Sequence, residues 1–168
     1  MYRGTPEGIQ LIENIHNQPG VDTLEGRIGP LLFGEKCQSH YIELPKRGYC
    51  EAHAHATESI IYTVRGQWVL CSGEGQRFHM LPGSLFWFGS NIKTGYEVPF
   101  DVPAYILIFK NRPGSDGPHE LMEYLKTMAA GLQDESRKGV PFTFDQLPES
   151  HPACLFAAQL TGSIKRSK

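Results

Sequence analysis

The sequence predicts an all-β fold with a C-terminal helical extension. Three observations carry this. Eight short runs rich in β-branched and aromatic residues follow one another between residues 9 and 110. Glycine and proline, 18 and 12 in number, punctuate those runs, which favours many short elements over a helix bundle. Beyond Asn111 the apolar spacing changes from alternation to a helical period.

The candidate strands are Ile9–Glu13, Ile28–Phe33, Cys37–Leu44, Glu58–Val64, Gln67–Ser72, Gln76–Leu81, Ser84–Phe88 and Ala104–Phe109. Strands spaced this regularly suggest an antiparallel sandwich or barrel. Arg65-Gly66 reads as a tight hairpin, and Ser72-Gly73-Glu74-Gly75 as a second turn. After a linker at Arg112–Pro118 with helix-start signals at Asp116 and Pro118, Leu121, Leu125, Met128 and Leu132 define one face of an amphipathic helix. Gly139 and Pro141 stop it. A shorter helix follows Pro152, over Ala153–Leu160, and Gly162 ends it. The expected organisation is therefore a β unit over 1–110, a helical extension over 111–162 packed on it, and a frayed basic tail over 163–168. The extension is read as packing, with a lid over a pocket or a contact for another chain as the sharper alternatives.

Composition narrows the function. A chain of 168 residues suffices for one core. Lys plus Arg number 16 against 18 Asp plus Glu, for a net charge of −2, which argues against a generally basic nucleic-acid surface. The longest apolar run, Ala104–Phe109, is far too short to span a bilayer. Residues 1–7 lack the apolar stretch of a secretory signal. The four cysteines, Cys37, Cys50, Cys71 and Cys154, form no C-x-x-C pair and read as reduced thiols of a cytoplasmic protein.

The chemistry is concentrated at Gly48–Gly66. Residues two apart on an extended segment share a face, so His53 and His55 present two imidazoles side by side. Two such nitrogens make half of a divalent-metal site, and Glu58 follows with a carboxylate that could complete an open three-ligand face. Thr94, Tyr96 and Val98 also share a face, so Tyr96 reaches a pocket if Thr94 does, and Glu97 then points outward. Cys50 and Cys71 read as small buried hydrophobes. His79, between Phe78 and Met80, reads as a structural residue. Leu85–Phe88 reads as a barrel strand with one face inside and the other under a helix or subunit.

His53, His55 and the hairpin glycine Gly66 resemble the first sequence motif of the cupin superfamily, and the text from Gly83 onward resembles its second. The resemblance covers about residues 36–110. It implies a small jelly-roll-type antiparallel β-barrel with an internal pocket, and homodimers that pair N-terminal strands. The match is degenerate. In register with Gly66 the motif glutamate falls on Ser59, one residue after Glu58. In register with Gly83 the motif proline, glycine, histidine and asparagine fall on Gly89, Asn91, Thr94 and Val98. If Ser59 faces inward, Glu58 faces outward unless a bulge re-aims it.

Three site readings follow. His53, His55 and Glu58 hold a metal (Fe, Mn, Ni or Zn) with water. Alternatively the metal is weak or absent, and His53, His55, Ser59 and Thr94 act as hydrogen-bonding groups, with Tyr96 alongside. In the third, His79 or His40 supplies a further nitrogen. The corresponding functions are a cupin-domain protein binding a small organic ligand, and a metal-dependent cupin enzyme (oxygenase, isomerase or lyase) on a small metabolite. An interaction protein whose helical extension docks a partner is the remaining class. Neither nucleic acid nor membrane is an expected partner.

Overall fold

A computed structural model describes residues 2–111 and 117–162. The element order is β1 (Tyr2–Gly4), β2 (Gln10–Ile12), β3 (Val21–Thr23), β4 (Gly26–Phe33), β5 (Cys37–Leu44), β6 (Tyr49–Ala54), β7 (Ser59–Arg65), β8 (Trp68–Ser72), β9 (Arg77–Met80), β10 (Leu85–Phe88), β11 (Lys93–Glu97), β12 (Ala104–Asn111), α1 (Pro118–Arg137) and α2 (Pro152–Leu160). Short 3₁₀ turns occupy Ile15–Asn17 and Phe144–Gln146. All strand pairs are antiparallel. A six-stranded sheet runs β10-β7-β12-β5-β4-β3 and faces a four-stranded sheet, β6-β11-β8-β9. The β-barrel expected from the sequence is thus a two-sheet jelly roll. Strands β1 and β2 pair with each other. The Asp116 helix-start signal and the 163–168 tail lie outside the described residues.

Alternation fixes which side chains enter the space between the sheets. Ile42 and Leu44 on β5, Ile61 on β7 and Ile106 and Ile108 on β12 point inward, opposite Trp68 and Leu70 on β8 and Tyr96 on β11. Trp68 is buried, and its indole N–H donates to Thr63 Oγ1 at 2.9 Å, tying β8 to the facing sheet. On the outer face of the large sheet, Tyr41 stacks on Tyr105 with centroids 5.2 Å apart. The N-terminal segment caps that pair. Tyr105 donates to Ile15 O at 2.8 Å, and Tyr41 to Gln18 O and Pro19 O at 3.2 Å.

Gly66 does not close a hairpin. Strands β7 and β8 lie in different sheets, and the chain crosses between them here. Gly66 has φ +74°, and a Cβ would sit 2.4 Å from Pro103 O, so close backbone approach as well as conformation requires glycine. The Ser72–Gly75 turn does close a hairpin, β8–β9, with Gly75 N–H donating to Ser72 O at 2.9 Å.

The helical region divides into two parts. Helix α1 starts at Gly117, whose N–H donates to Glu120 Oε2 at 2.8 Å. It packs on β3 and β4, burying Leu125 and Leu132. The chain then crosses to the back of the small sheet, where Tyr49, Phe144 and Ala153 form a separate apolar cluster. His151 Nδ1 caps α2 by accepting from Ala153 N–H at 3.2 Å. Glu97, expected to point outward, does so but lies under this cover at 1% exposure and pairs with Arg77 at 2.9 Å. Its side chain does leave the pocket face, but that outer face is roofed by the chain's own C-terminal segment.

Candidate functional site

The two sheets and α1 enclose a cavity of about 690 Å³. His53, His55, Ser59, Thr94 and Tyr96 all line it, as do His40 and Lys110 on the large sheet and Leu121, Tyr124 and Met128 on α1. The imidazoles of His53 and His55 lie 4.5 Å apart, centroid to centroid. His53 is exposed at the rim, while His55 is half-buried against Phe88 at 5.1 Å. Burial first, then the neighbouring His53, lowers the His55 pKa and favours its neutral form.

Thr94 pairs with His53 across β11–β6, and its carbonyl lies 3.4 Å from His55 Nε2. The position where the family's second motif carries a histidine is therefore beside the imidazoles, filled by a threonine. Asn91, at the motif glycine position, adopts φ +63°, the left-handed conformation asparagine tolerates best after glycine. Its N–H donates to His55 O at 2.7 Å and anchors the loop to the histidine segment.

Ser59 is buried and faces the cavity. Glu58 is not brought to the imidazoles. Its carboxylate accepts from Trp87 Nε1 at 3.0 Å and from Asn111 Nδ2 at 3.1 Å, outside the cavity lining. Successive residues of a strand face opposite ways, and no bulge intervenes to turn Glu58 in. His79 also lies elsewhere, exposed, bonded to Gln67 at 3.0 Å and stacked on Phe100.

Two residues that the sequence reading did not assign to the site are brought to it. Cys50 Sγ lies 3.3 Å from Glu25 Oε1 and 3.7 Å from His53 Nδ1, and the donor atoms of all three fall within 4.8 Å of one another. Glu25 sits on the tight β3–β4 turn, where its carbonyl accepts from Tyr96 OH at 2.7 Å. Burial, then the Glu25 carboxylate, pushes the Cys50 thiol far above its ordinary pKa, so the sulfur is protonated here. Burial likewise raises the Tyr96 phenol well above its ordinary value, making it a hydrogen-bond donor rather than an acid–base group.

Residues 40–116 match the family described as AraC-like ligand binding domain. Among solved structures, the chain is similar to an RmlC-like cupin from Shewanella frigidimarina (18% identity over 60% of this chain and 89% of that one, TM-score 0.50). It is also similar to TT1209 from Thermus thermophilus (17%, 61% and 98%, TM-score 0.52). A further likeness is to the polyketide cyclase RemF from Streptomyces resistomycificus (15%, 67% and 92%, TM-score 0.55). No curated protein sequence matches. Among the described residues, no helix is long and apolar enough to cross a membrane. The two facing antiparallel sheets, the H-x-H strand at the mouth of the space between them and these likenesses agree on a cupin-like β-barrel fold.

Proposed function

We propose that the chain binds a small organic molecule in the space between its sheets. The carrying observation is the cavity of about 690 Å³, a size suited to a metabolite, with an apolar lining interrupted by a few convergent polar groups. Ser59, Thr94 and Tyr96 are the proposed polar contacts from the sheets, and α1 covers the ligand. A thermal-shift screen of metabolites tests this, with Leu70→Trp as the blocked cavity. Stabilising compounds should lose their effect in that variant, provided it folds. Compounds that stabilise both proteins equally would refute the site.

A second reading, a metal-dependent enzyme, rests on the Glu25–Cys50–His53 cluster. Thiol–carboxylate and thiol–imidazole separations of 3.3 and 3.7 Å are close to the roughly 3.5 Å ligand-to-ligand edges of a tetrahedral zinc site. A divalent metal would be held by Glu25, Cys50 and His53, with His55 adjacent, rather than by Glu58. Bound there, it would supply Lewis-acid activation of a ligand oxygen. His53 Nδ1 also lies 3.0 Å from Glu51 O, a contact that metal binding through that nitrogen replaces.

We also propose that the chain forms a homodimer. Leu85 and Trp87 on the edge strand β10 stand beside Tyr62, Ile60 and Phe109, all exposed on the outer face. An edge strand with a contiguous apolar face is suited to self-association.

A further inference from the structure

The inner face of the large sheet has two ends. At one, Leu44, Ile42 and Ile106 face Trp68 and Leu70. At the other, alternation places Gln38 and His40 on β5, Ser59 on β7 and Lys110 on β12 into the same space. Lys110 lies directly across from Gln38 and from Ser59, and Ile108 lies across from His40. The four polar side chains are therefore neighbours on one patch.

Among the described residues, two of them carry a polar atom with no partner. His40 is buried at 8% exposure, and its Nδ1 makes no hydrogen bond. A buried polar atom left unpaired is costly, and a ligand that supplied its partner would explain it. Lys110 is half-buried, and no ion pair holds its ammonium among the described residues. Two carboxylates also line the cavity. Glu25 accepts from the Cys50 thiol, and Glu120 accepts from Gly117 N–H at the start of α1. Burial lowers the Lys110 pKa with no carboxylate among the causes opposing it.

We infer that His40, Ser59 and Lys110 form an anion subsite, which takes the carboxylate of an amphiphilic monocarboxylic acid. The inference deepens the ligand-binding reading and rests on it. Lys110 supplies the charge, and His40 Nδ1–H and the Ser59 hydroxyl supply directed donors. The acid's apolar body runs along Ile108 and Ile106 towards Trp68. From Lys110 to Ile106 the strand rises roughly 13 Å, the length of a medium acyl chain or an arylalkyl group.

Trp68 lies in the cavity wall, so a Trp87→Phe protein reports binding through Trp68 emission alone. That protein, titrated with octanoate, octanamide and 1-octanol by fluorescence and calorimetry, should bind octanoate at least about tenfold more tightly than octanamide. Lys110→Met should abolish that preference while retaining 1-octanol binding, and Lys110→Arg should keep most of it. Retained octanol binding and an unchanged circular dichroism spectrum show that the Met variant is folded. If it is not, Lys110→Gln takes its place, and the acid–amide comparison needs no variant. Equal affinity for octanoate and octanamide overturns the subsite while leaving the cavity reading standing. So does an acid preference that survives loss of Lys110. Failure of all three probes to bind overturns both.

Discussion

Cys50 and His53 stand on the same side of β6, with Sγ and Nδ1 3.7 Å apart, although an odd number of positions separates them. Regular alternation would set them on opposite faces. The register supplies the reason. Thr94 pairs with His53 and Tyr96 with Cys50, so β6 carries one more residue than β11 between the same two pairs. Gly95 fits opposite this bulge, where a Cβ would lie 2.4 Å from Cys50 O. The bulge brings a thiol, an imidazole and the Glu25 carboxylate together at the cavity wall.

If that cluster holds a metal, untagged protein analysed by elemental mass spectrometry will contain near-stoichiometric zinc or another divalent ion. Cys50→Ser or His53→Ala will lose at least about tenfold in affinity, because each removes one of few ligands. Glu58→Gln will keep the metal, since Glu58 bonds Trp87 and Asn111 instead. Loss of metal in Glu58→Gln but not in Cys50→Ser would reverse the assignment.

His40 makes stability depend on pH. Burial, reinforced by Lys110, lowers its pKa from 6.5 to about 3. Above pH 6.5 the imidazole is neutral in the folded and unfolded chains alike. Below it, the unfolded chain takes up a proton that the folded chain refuses until about pH 3. Stability therefore falls as pH is lowered from 6.5 towards 3, by up to about 1.4 kcal/mol per unit from this group. Denaturant titrations at several pH values should give a shallower decline for His40→Asn than for the wild type, and parallel curves would show that His40 is not the source.

The Arg77–Glu97 pair is buried between the small sheet and the C-terminal segment, with the Glu97 side chain at 1% exposure and Arg77 at 11%. Arg77 donates to both carboxylate oxygens, at 3.0 and 3.1 Å from Nε. Burial is the largest influence on Glu97 and raises its pKa, with Arg77 opposing. Arg77→Met leaves the carboxylate enclosed without a counter-charge and should cost about 3 kcal/mol. Adding Glu97→Gln should recover part of that loss. Chemical denaturation of both variants measures it, and additive effects would exclude coupling between the two side chains.

The outer patch predicts the assembly. Light scattering after gel filtration should give twice the chain mass for the wild type. Leu85→Glu combined with Trp87→Lys, both at exposed positions, should give a monomer with unchanged circular dichroism. A monomeric wild type would contradict the proposed dimer.

Local sequence signals located most of the frame. Strand β5 spans Cys37–Leu44, the same residues as the apolar run, and α1 buries Leu125 and Leu132 of the predicted stripe. The departures at Gly66 and Glu97 come from distant contacts. A positive-φ glycine between two β runs looks alike whether the chain returns to one sheet or crosses to another. At Gly66 only the approach of Pro103 and Ala104 decides. Glu97 alternates out of the cavity as expected, but residues far along the chain cover that face. Cys50 was hidden by a bulge whose one local sign is the glycine inside β11. Lys110 was missed because the candidate strand ended at Phe109, although the Ile106–Ile108 alternation extends to it.

The central claim is that the space between the sheets is the ligand site. Isoleucine-methyl NMR with the tightest compound from the metabolite screen tests it most directly. Ile42, Ile61, Ile106 and Ile108, which line the cavity, should shift, while exposed Ile60 and Ile92 stay in place. Shifts confined to Ile60 and Ile92, with the four inner methyls unmoved, would contradict it.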